Sequence, residues 1–319
     1  MHSLDMDGAP RLLFEMGSML VEMGYKVTFA AFDTGAMAEH ITTAGALLVI
    51  LDRHSAGTVQ NLLSELYNSF DLIVFNTVVW ADMIGAQTYV RAPHPKLVWL
   101  IHEGELHPST GIEGRKGGKK VFWYGKRFKS IGDQASQRNT LQKVDKVVFV
   151  ADKVRSLWGN YDTGHFETFR GFVNIADVEQ RALSGLSGDS RKKLLESVHA
   201  DEHTFIMSTV GTVCKRKNQL ILVQALEGVG GAIFGKRPYI LLIIGAPSPS
   251  GGRGDDDYFQ LMKEYVEAKP DLKKRIWFIP FSNDALGYLA LSHLHLSVSV
   301  SEAFPLNVLE AMALGVPAM

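Results

Sequence analysis

The chain contains very little cysteine, since Cys214 is the only one among 319 residues. One cysteine excludes an intramolecular disulfide framework and a zinc cluster built from cysteines. Long apolar runs are also missing, because none reaches the roughly 18 residues that a membrane-spanning helix requires. The start of the chain, MHSLDMDGAP, contains acids and lacks the apolar region of a signal peptide. We therefore expect a globular protein in a reducing compartment, the cytoplasm.

Neither sign of charge is in excess, because 33 Lys and Arg residues stand against 34 Asp and Glu residues, with a net charge of -1. This balance gives no overall electrostatic attraction to nucleic acid, although a local basic pocket remains compatible with it. No G-x-G-x-x-G motif follows any predicted strand. Its absence argues against a dinucleotide-binding oxidoreductase.

What the chain does contain is a regular alternation of apolar, β-rich runs with amphipathic helical segments. Strands that are apolar along their whole length are typical of a parallel sheet covered by helices on both faces. In the first half, the pattern predicts strands at 26–33, 47–52, 71–77, 96–103 and 146–152, and helices at 11–24 and 56–70.

The pattern changes at 172–200, where turn residues and charge predict a connection between domains and a surface helix. A second series follows, with strands at 204–211, 239–246, 275–281 and 294–301, and helices at 217–228, 255–268, 283–291 and 305–314. Two such series predict an α/β protein with two Rossmann-like, doubly wound parallel-sheet domains that face a cleft. We place the domains at 1–175 and 176–319.

The segment SEAFPLNVLEAMALGVP, residues 301–317, puts two acids around the start of a predicted helix. Pro305 suits a first helical turn, and the free amides between Ala303 and Leu306 would point towards an incoming anion. Glu302 and Glu310 would then lie at the two ends of a bound nucleotide-sugar. The alternative is that Glu302 only complements the helix dipole and that Glu310 is a solvated surface acid.

Three cations, Lys215, Arg216 and Lys217, precede another predicted helix after the strand that ends at Gly211. Cations are unfavourable at a helix N-terminus, so this arrangement favours an anionic partner such as a diphosphate. A solvated basic turn is the alternative. Cys214 lies beside these cations, but no companion residues indicate a nucleophile, so a structural role is favoured.

His102 follows an apolar strand and is predicted at the ligand-binding edge of the first sheet, where it would bond a sugar hydroxyl or carry a proton. With Glu103, Glu105 and His107 it resembles a cluster of metal ligands. The spacing differs from that of H-E-x-x-H on a helix, so we expect no metal site.

Several segments, in this order along the chain, resemble the retaining family 4 glycosyltransferases. The most specific is SEAFPLNVLEAMALGVP, which is similar to the E-x7-E signature of the family. Segments of moderate specificity are DGAPRLLFEMGSMLVEMGYKVTF at 7–29, KLVWLIHE at 96–103, DKVVFVADKVRSLW at 145–158 and VGTVCKRKNQLILVQAL at 210–226. The resemblance covers essentially the whole chain.

This resemblance implies the GT-B fold and a hexosyltransferase-type enzyme that moves a sugar from a UDP-, GDP- or ADP-sugar to an acceptor hydroxyl. It implies retention of the anomeric configuration without a bound metal or cofactor. Arg216 and Lys217 would neutralise the leaving diphosphate, and Glu302 would contact hydroxyls of the donor sugar. Glu310 would contact the ribose, and His102 the sugar or the acceptor. The acceptor itself is not readable from the sequence.

The resemblance also implies that the first domain binds the acceptor and the second the donor. Gly8 would let the first loop approach the substrates closely. The further residues implied in donor binding are Gly211, Thr212, Phe304, Pro305 and Leu306.

The chain departs from the family pattern at two internal positions and at both ends. The family often has Arg where this chain has Thr212, and Lys-Gly where it has Lys217-Asn218. The family also has a strand before the first loop and further elements after the G-V-P segment, so we expect a chain truncated at both ends. The missing parts could include a membrane anchor. A non-catalytic or truncated GT-B binding protein is therefore the alternative function.

Overall fold

The computed structural model divides the chain into two compact units, Met1–Phe172 and Val173–Met319. The sequence prediction placed the boundary between residues 175 and 176, close to this division. The residues that the structure describes are 4, 8–51, 69–80, 84, 95–103, 113–116, 119–122, 140–162, 164–187, 189–247, 253–280 and 285–319. The helix predicted at 56–70 lies almost wholly outside the described residues. Among the described helices, none combines the length and apolar character needed to cross a membrane.

Unit 1 contains short parallel strands joined by helices and loops. Its helices are α1 (Gly8–Glu22), α2 (Met37–Thr43) and α3 (Asp152–Leu157), with 3-10 turns at Val78–Trp80 and Gly159–Tyr161. Its strands are β1 (Thr28–Ala31), β2 (Leu47–Ile50), β3 (Leu72–Asn76), β4 (Lys96–Ile101), β5 (Glu113–Lys116), β6 (Lys119–Phe122), β7 (Lys146–Phe149) and β8 (Phe166–Thr168).

The described strands of unit 1 pair mainly in parallel, as the apolar runs predict. β1 pairs with β2, while β3, β4, β7 and β8 form a sheet in that order, and β5 and β6 form an antiparallel hairpin. β4 is buried along most of its length, and the Trp99 side chain is fully buried there. The parallel pairing puts the ends of β3 and β4 at the same edge of one sheet.

Unit 2 is described almost throughout and alternates helices with strands. Its helices are α4 (Ile175–Leu186), α5 (Ser190–Ser197), α6 (Leu220–Phe234), α7 (Arg253–Glu267), α8 (Pro270–Lys273), α9 (Ala285–Ala290) and α10 (Leu306–Ala313). Its strands are β9 (Phe205–Val210), β10 (Tyr239–Ile244), β11 (Ile276–Ile279) and β12 (Leu294–His295).

The unit 2 sheet is parallel, with the order β11-β10-β9-β12. Every residue of β10 is buried, which explains why its sequence, YILLII, has no polar alternation. One face packs against a cluster that includes Val223 and Met262, and the other against a cluster that includes Leu194 and Tyr288. Helices therefore cover both faces, and the predicted α/β arrangement of this unit is confirmed.

The strand predicted at 294–301 is wrong in its length, because β12 ends at His295. The chain continues to bond its neighbours for two further residues, since Leu296 N–H donates to Ser208 and Ser297 N–H donates to Met319. It then leaves the sheet, and Val300 N–H donates to the carbonyl oxygen of Arg216 at 2.8 Å. A hydrogen bond to a loop replaces the expected strand pairing.

The stretch 172–200, predicted as a connection between domains with a surface helix, contains two helices, α4 and α5, so less of it is connection than expected. Asn174 caps α4 by accepting a hydrogen bond from the Asp177 N–H. Val178 and Ala182 are buried in a cluster with residues of α9 and α10. The sparse apolar residues of α4 are therefore enough to make it part of the core of unit 2.

A glycine at the carboxyl edge of this sheet lets the chain after β10 approach the chain after β9. Gly211 and Gly245 directly follow these strands and have φ values of 138° and 145°. A Cβ atom on Gly245 would lie 2.0 Å from the carbonyl oxygen of Gly211. Side chains are rarely tolerated in this backbone region, so both space and conformation require glycine at residue 245.

We expect Gly245→Ala to destabilise unit 2 by about 2–4 kcal/mol, because it adds overpacking to backbone strain. The measurement is urea denaturation followed by circular dichroism, with hydrogen exchange of peptides from β9 and β10. Gly228→Ala is the matched control, since Gly228 lies in α6 and a Cβ there would meet nothing within 4 Å. The control should be neutral or slightly more stable. Equal stability of the two variants would contradict the role of Gly245.

Candidate active site

The carboxyl edge of the unit 2 sheet brings together three of the residues predicted to act in catalysis. Lys217 lies in the turn after β9, and its Nζ is 2.5 Å from Oε1 of Glu302. Nη1 of Arg216 is 3.2 Å from the same oxygen and donates to the Ser301 carbonyl oxygen at 3.0 Å. The structure thus joins the loop after β9 to the loop after β12 through one carboxylate. We call Arg216, Lys217 and Glu302 the charge cluster.

The two cations of the charge cluster differ in their access to solvent. The Lys217 side chain is 16% exposed and that of Arg216 is 52% exposed. Lys217 lies against Gly211, where an added Cβ would be 3.7 Å from its Nζ. The sequence left open a solvated basic turn here, and the structure shows that Glu302 pairs with both cations instead.

The electrostatic environment keeps Glu302 ionised. Burial raises the pKa of its carboxyl, but the hydrogen bond and charge of Lys217, a hydrogen bond from Ser299 and the charge of Arg216 outweigh it, so the pKa is lowered. A carboxylate has about four lone-pair positions. It can therefore accept further hydrogen bonds while it is paired with the cations.

The start of α10 lies close to the charge cluster in sequence and is tied to the end of β9. The Asn307 side chain donates from Nδ2 to the Val210 carbonyl oxygen at 2.7 Å. Pro305 is the N-cap, so the helix begins at Leu306, one residue later than predicted. The first amides of a helix have no acceptor within it and suit an anion. Pro305 has no N–H, so Phe304 and Leu306 are the predicted residues that can donate.

Glu310 is not a solvated surface acid, because it is only 3% exposed on the buried side of α10. Its neighbour Ala311 is fully buried. The alternative considered for Glu310 is therefore wrong.

Thr212 lies in the loop after β9. Its carbonyl oxygen accepts a hydrogen bond from Nε2 of the buried Gln219, at 2.9 Å.

His295 is a residue of this region that the sequence analysis did not single out. It is fully buried on β12, and its Nδ1 lies 3.4 Å from the Ser208 hydroxyl oxygen. Within the described chain, its Nε2 has no hydrogen-bond partner. Burial and the charge of Lys217 lower the pKa of His295 to about 4, so the ring is neutral at neutral pH. A single histidine in an apolar strand gave no signal of this environment.

Unit 1 has its own group of polar residues at the carboxyl edge of its sheet. Nε2 of His102, after β4, is 2.8 Å from Oδ1 of Asn76, the last residue of β3. Nδ2 of Asn76 donates to the carbonyl oxygen of Ala9 at 3.1 Å. Gly8, the first residue of α1, is exposed beside Ala9. The structure therefore brings the start of α1, where Gly8 lies, and His102 to one strand-end amide, that of Asn76.

Glu103 lies beside His102 and bonds the backbone of two loops. Its Oε2 accepts hydrogen bonds from the N–H groups of Val78 at 3.3 Å and His102 at 3.1 Å. Burial raises the pKa of the Glu103 carboxyl, while backbone hydrogen bonds oppose the shift. Trp158 donates from Nε1 to the carbonyl oxygen of Glu103 at 3.1 Å.

In the described part of the chain, no group of three or more His, Cys, Asp and Glu side chains is arranged to hold a metal ion. Glu105 and His107, from the cluster considered above, lie outside the described residues. Cys214 is buried, and its carbonyl oxygen accepts from the N–H groups of Lys217 and Asn218. Its role in the described structure is to shape the turn that carries the cations.

Two parallel α/β units, each with polar residues at the carboxyl edge of its sheet, are the arrangement of the GT-B fold. Solved structures match the chain along its length. Anabaena Alr3699/HepE in complex with UDP-glucose aligns with a TM-score of 0.71 and 16% identity, covering 100% of this chain and 78% of that one. Sucrose-phosphate synthase from Thermosynechococcus elongatus has a TM-score of 0.65 and 14% identity, covering 100% and 77%. These likenesses confirm the predicted fold.

The sequence comparison identifies the family. The family described as Glycosyl-transferase family 4 matches residues 1–108, and the one described as Glycosyl transferases group 1 matches residues 190–319. The chain belongs to these family 4, group 1 glycosyltransferases. The predicted resemblance is thus confirmed over both units.

A curated relative is similar over a shorter segment. It is the Escherichia coli UDP-Gal:alpha-D-GlcNAc-diphosphoundecaprenol alpha-1,3-galactosyltransferase, 24% identical over 145 residues. The matched segment covers 45% of this chain and 34% of that protein. The match therefore spans about a third of the relative's length.

We expect Glu302→Gln to reduce the stability of unit 2 at neutral pH by about 1–2 kcal/mol, because it leaves Lys217 without its anion. The folded-state pKa of Glu302 is lowered, so its contribution is present above the unfolded pKa of about 4.3 and is lost as pH falls through the folded pKa. The stability difference between native chain and variant should therefore shrink below about pH 4.

Chemical denaturation between neutral and acid pH measures this difference. Glu179→Gln, an exposed position on α4, is the matched control and should change stability little at any pH. A Glu302→Gln effect that stays constant down to acid pH would show that the ion pair is not its source.

Proposed function

We propose that the chain acts as a retaining glycosyltransferase that moves a sugar from a nucleotide-sugar to an acceptor hydroxyl. The observation that carries this proposal is the charge cluster beside the first turn of α10. The cluster supplies cations and an ionised carboxylate, and the start of α10 supplies backbone amides. All of these groups lie at one edge of a parallel sheet, where ligands of such folds bind. Membership of a glycosyltransferase family supports the assignment.

The cations of the cluster suit the leaving diphosphate. Negative charge develops on the leaving group as the glycosidic bond breaks, and fixed positive charge there lowers the barrier. Arg216 is the more exposed cation, so the N–H groups of its guanidinium can bind phosphate oxygens. Lys217 stays close to Glu302 and contributes a second charge beside the same group. The cations supply the charge that a metal would otherwise provide, so we propose transfer without a metal.

The remaining predicted residues fit other parts of the donor. The amides of Phe304 and Leu306 would bind the phosphates at the start of α10, next to the loop of Gly211 and Thr212. Glu302 would accept hydrogen bonds from hydroxyls of the sugar, and Glu310 would accept them from the ribose.

The donor that we propose is a UDP-sugar. Solved structures of similar fold contain UDP or UDP-glucose, and the curated relative is named for UDP-Gal. Unit 2 would bind this donor. Unit 1, with Gly8 and His102, would face the acceptor, whose nature is left to experiment.

A thermal-shift titration with UDP, GDP and ADP, without added metal, tests the donor site. We expect UDP to raise the melting temperature by a few degrees, because a ligand that binds only the folded state stabilises it. Glu310→Ala should weaken the UDP effect at least tenfold, or by about 1.4 kcal/mol. Met312→Ala, at an exposed position on the same helix, should leave it unchanged. A cooperative melt that no nucleotide shifts would favour a non-catalytic GT-B protein.

Release of UDP from UDP-glucose or UDP-galactose tests the chemistry without a known acceptor. Arg216→Ala, Lys217→Ala and Glu302→Gln should each lower kcat about a hundredfold or more, because each removes charge at the leaving group or its partner. Lys215→Ala removes the exposed neighbouring cation and should retain most activity. Wild-type rates in the first three variants would reject their roles.

Retention is tested separately once an acceptor is found. Proton NMR of the freshly formed product should show the same anomeric configuration as the α-linked donor sugar. A β-linked product would reject retention but leave the donor site as proposed.

A further inference from the structure

The side chain of Asn76 joins the start of α1 to the ring of His102. Asn76 is fully buried at the end of β3. Nδ2 donates to the Ala9 carbonyl oxygen at 3.1 Å, and Oδ1 lies 2.8 Å from Nε2 of His102. Residues separated by 67 and 26 positions in sequence thus meet at one amide group.

The chemistry of these partners settles which atoms carry protons. The Ala9 carbonyl oxygen can only accept, so the NH2 group of Asn76 must face it. The oxygen of the amide therefore faces His102, and it too can only accept. Nε2 of His102 must then be the donor. In the neutral ring, Nδ1 is consequently the nitrogen without a proton.

The residue directly after Asn76 has an unfavourable backbone conformation. Thr77 has a φ of 77°, in the left-handed region that a β-branched residue rarely adopts. Its N–H donates to the Leu100 carbonyl oxygen at 2.8 Å, and its own carbonyl oxygen accepts from Nε1 of Trp99 at 2.8 Å. Such a conformation costs about 1–3 kcal/mol and persists only where surrounding contacts enforce it.

The carboxylate of Glu103 adds a second connection between the same two loops. One oxygen, Oε2, accepts from the N–H of Val78 after β3 and from that of His102 after β4. His102 is therefore connected to the end of β3 in two ways, by its ring to Asn76 and by its N–H through the Glu103 carboxylate to Val78.

We propose that Asn76 is a positioning residue that holds His102 in the Nε2–H form, with Nδ1 as its hydrogen-bond acceptor. The proposal rests on the proposed function, in which His102 meets a hydroxyl of a sugar or acceptor. A hydroxyl donates a hydrogen bond to the ring nitrogen that carries no proton. Because the Asn76 amide sets which nitrogen that is, its orientation decides how the imidazole can act on the substrate. Asn76 itself need not touch the substrate.

The tautomer can be measured directly by two-bond nitrogen–proton NMR on the full chain labelled with 15N-histidine, at a pH where the rings are neutral. His102→Gln assigns the signal. We expect His102 in the Nε2–H form. His165 serves as an internal reference, because its Nε2 faces the Leu141 carbonyl oxygen at 2.9 Å and should show the same form.

Asn76→Leu removes both hydrogen bonds at nearly constant volume. It should move the His102 signals towards a mixture of tautomers and leave those of His165 unchanged. Asn160→Leu, the same replacement at an exposed position of unit 1, should change neither. An Nδ1–H form in the native chain, or an unchanged His102 tautomer in a folded Asn76→Leu variant, would overturn the proposal.

UDP release supplies the second readout. We expect Asn76→Leu to lower kcat about ten- to a hundredfold, with the donor KM changed less than about threefold, because the nucleotide is bound by unit 2. A changed tautomer with unchanged kcat would reject a role in the reaction. If the native chain released no UDP, the proposed function would fail, while the NMR result would still decide whether Asn76 sets the His102 tautomer.

Discussion

The site in unit 2 depends on one carboxylate that is shared by two cations. Arg216 and Lys217 lie side by side just before a helix, where their mutual repulsion and the helix dipole are both unfavourable. Glu302 offsets this by pairing with both, at 3.2 and 2.5 Å. In the proposed function, this pairing would hold the cations in place for an incoming anion. Little reorganisation would then be needed, which is the condition under which fixed charges stabilise a transition state most.

This cluster exists because the sheet is parallel. Parallel strands end at the same edge, so the loops after β9 and β12 meet although 86 residues separate Arg216 from Glu302. Gly245 lets the chain after β10 lie against the backbone of Gly211, where no side chain would fit. The same rule operates in unit 1, where Asn76 ends β3 and His102 follows the adjacent strand β4. Parallel strand pairing thus brings polar groups together at one edge of each sheet.

Much of this arrangement is predictable from the sequence. Apolar runs such as YILLII indicate fully buried parallel strands, and the segment that carries Glu302 and Glu310 resembles the signature of the family. The failures share a cause. The strand predicted at 294–301 ends early, and Val300 bonds the Arg216 loop instead of a strand. The first helix of the predicted connection, α4, was missed because only Val178 and Ala182 are buried on it. Both depend on partners distant in sequence.

The sequence alone determined the alternation of strands and helices, the two-unit organisation, the family and the identity of the charged residues. Tertiary structure decided what those residues contact. It pairs Glu302 with the cations, buries Glu310 and His295, and directs the Asn76 amide between Ala9 and His102. The local sequence pattern shows only the periodicity of apolar residues and the type of each residue. Burial, protonation and hydrogen-bond direction depend on groups that only the folded chain brings together.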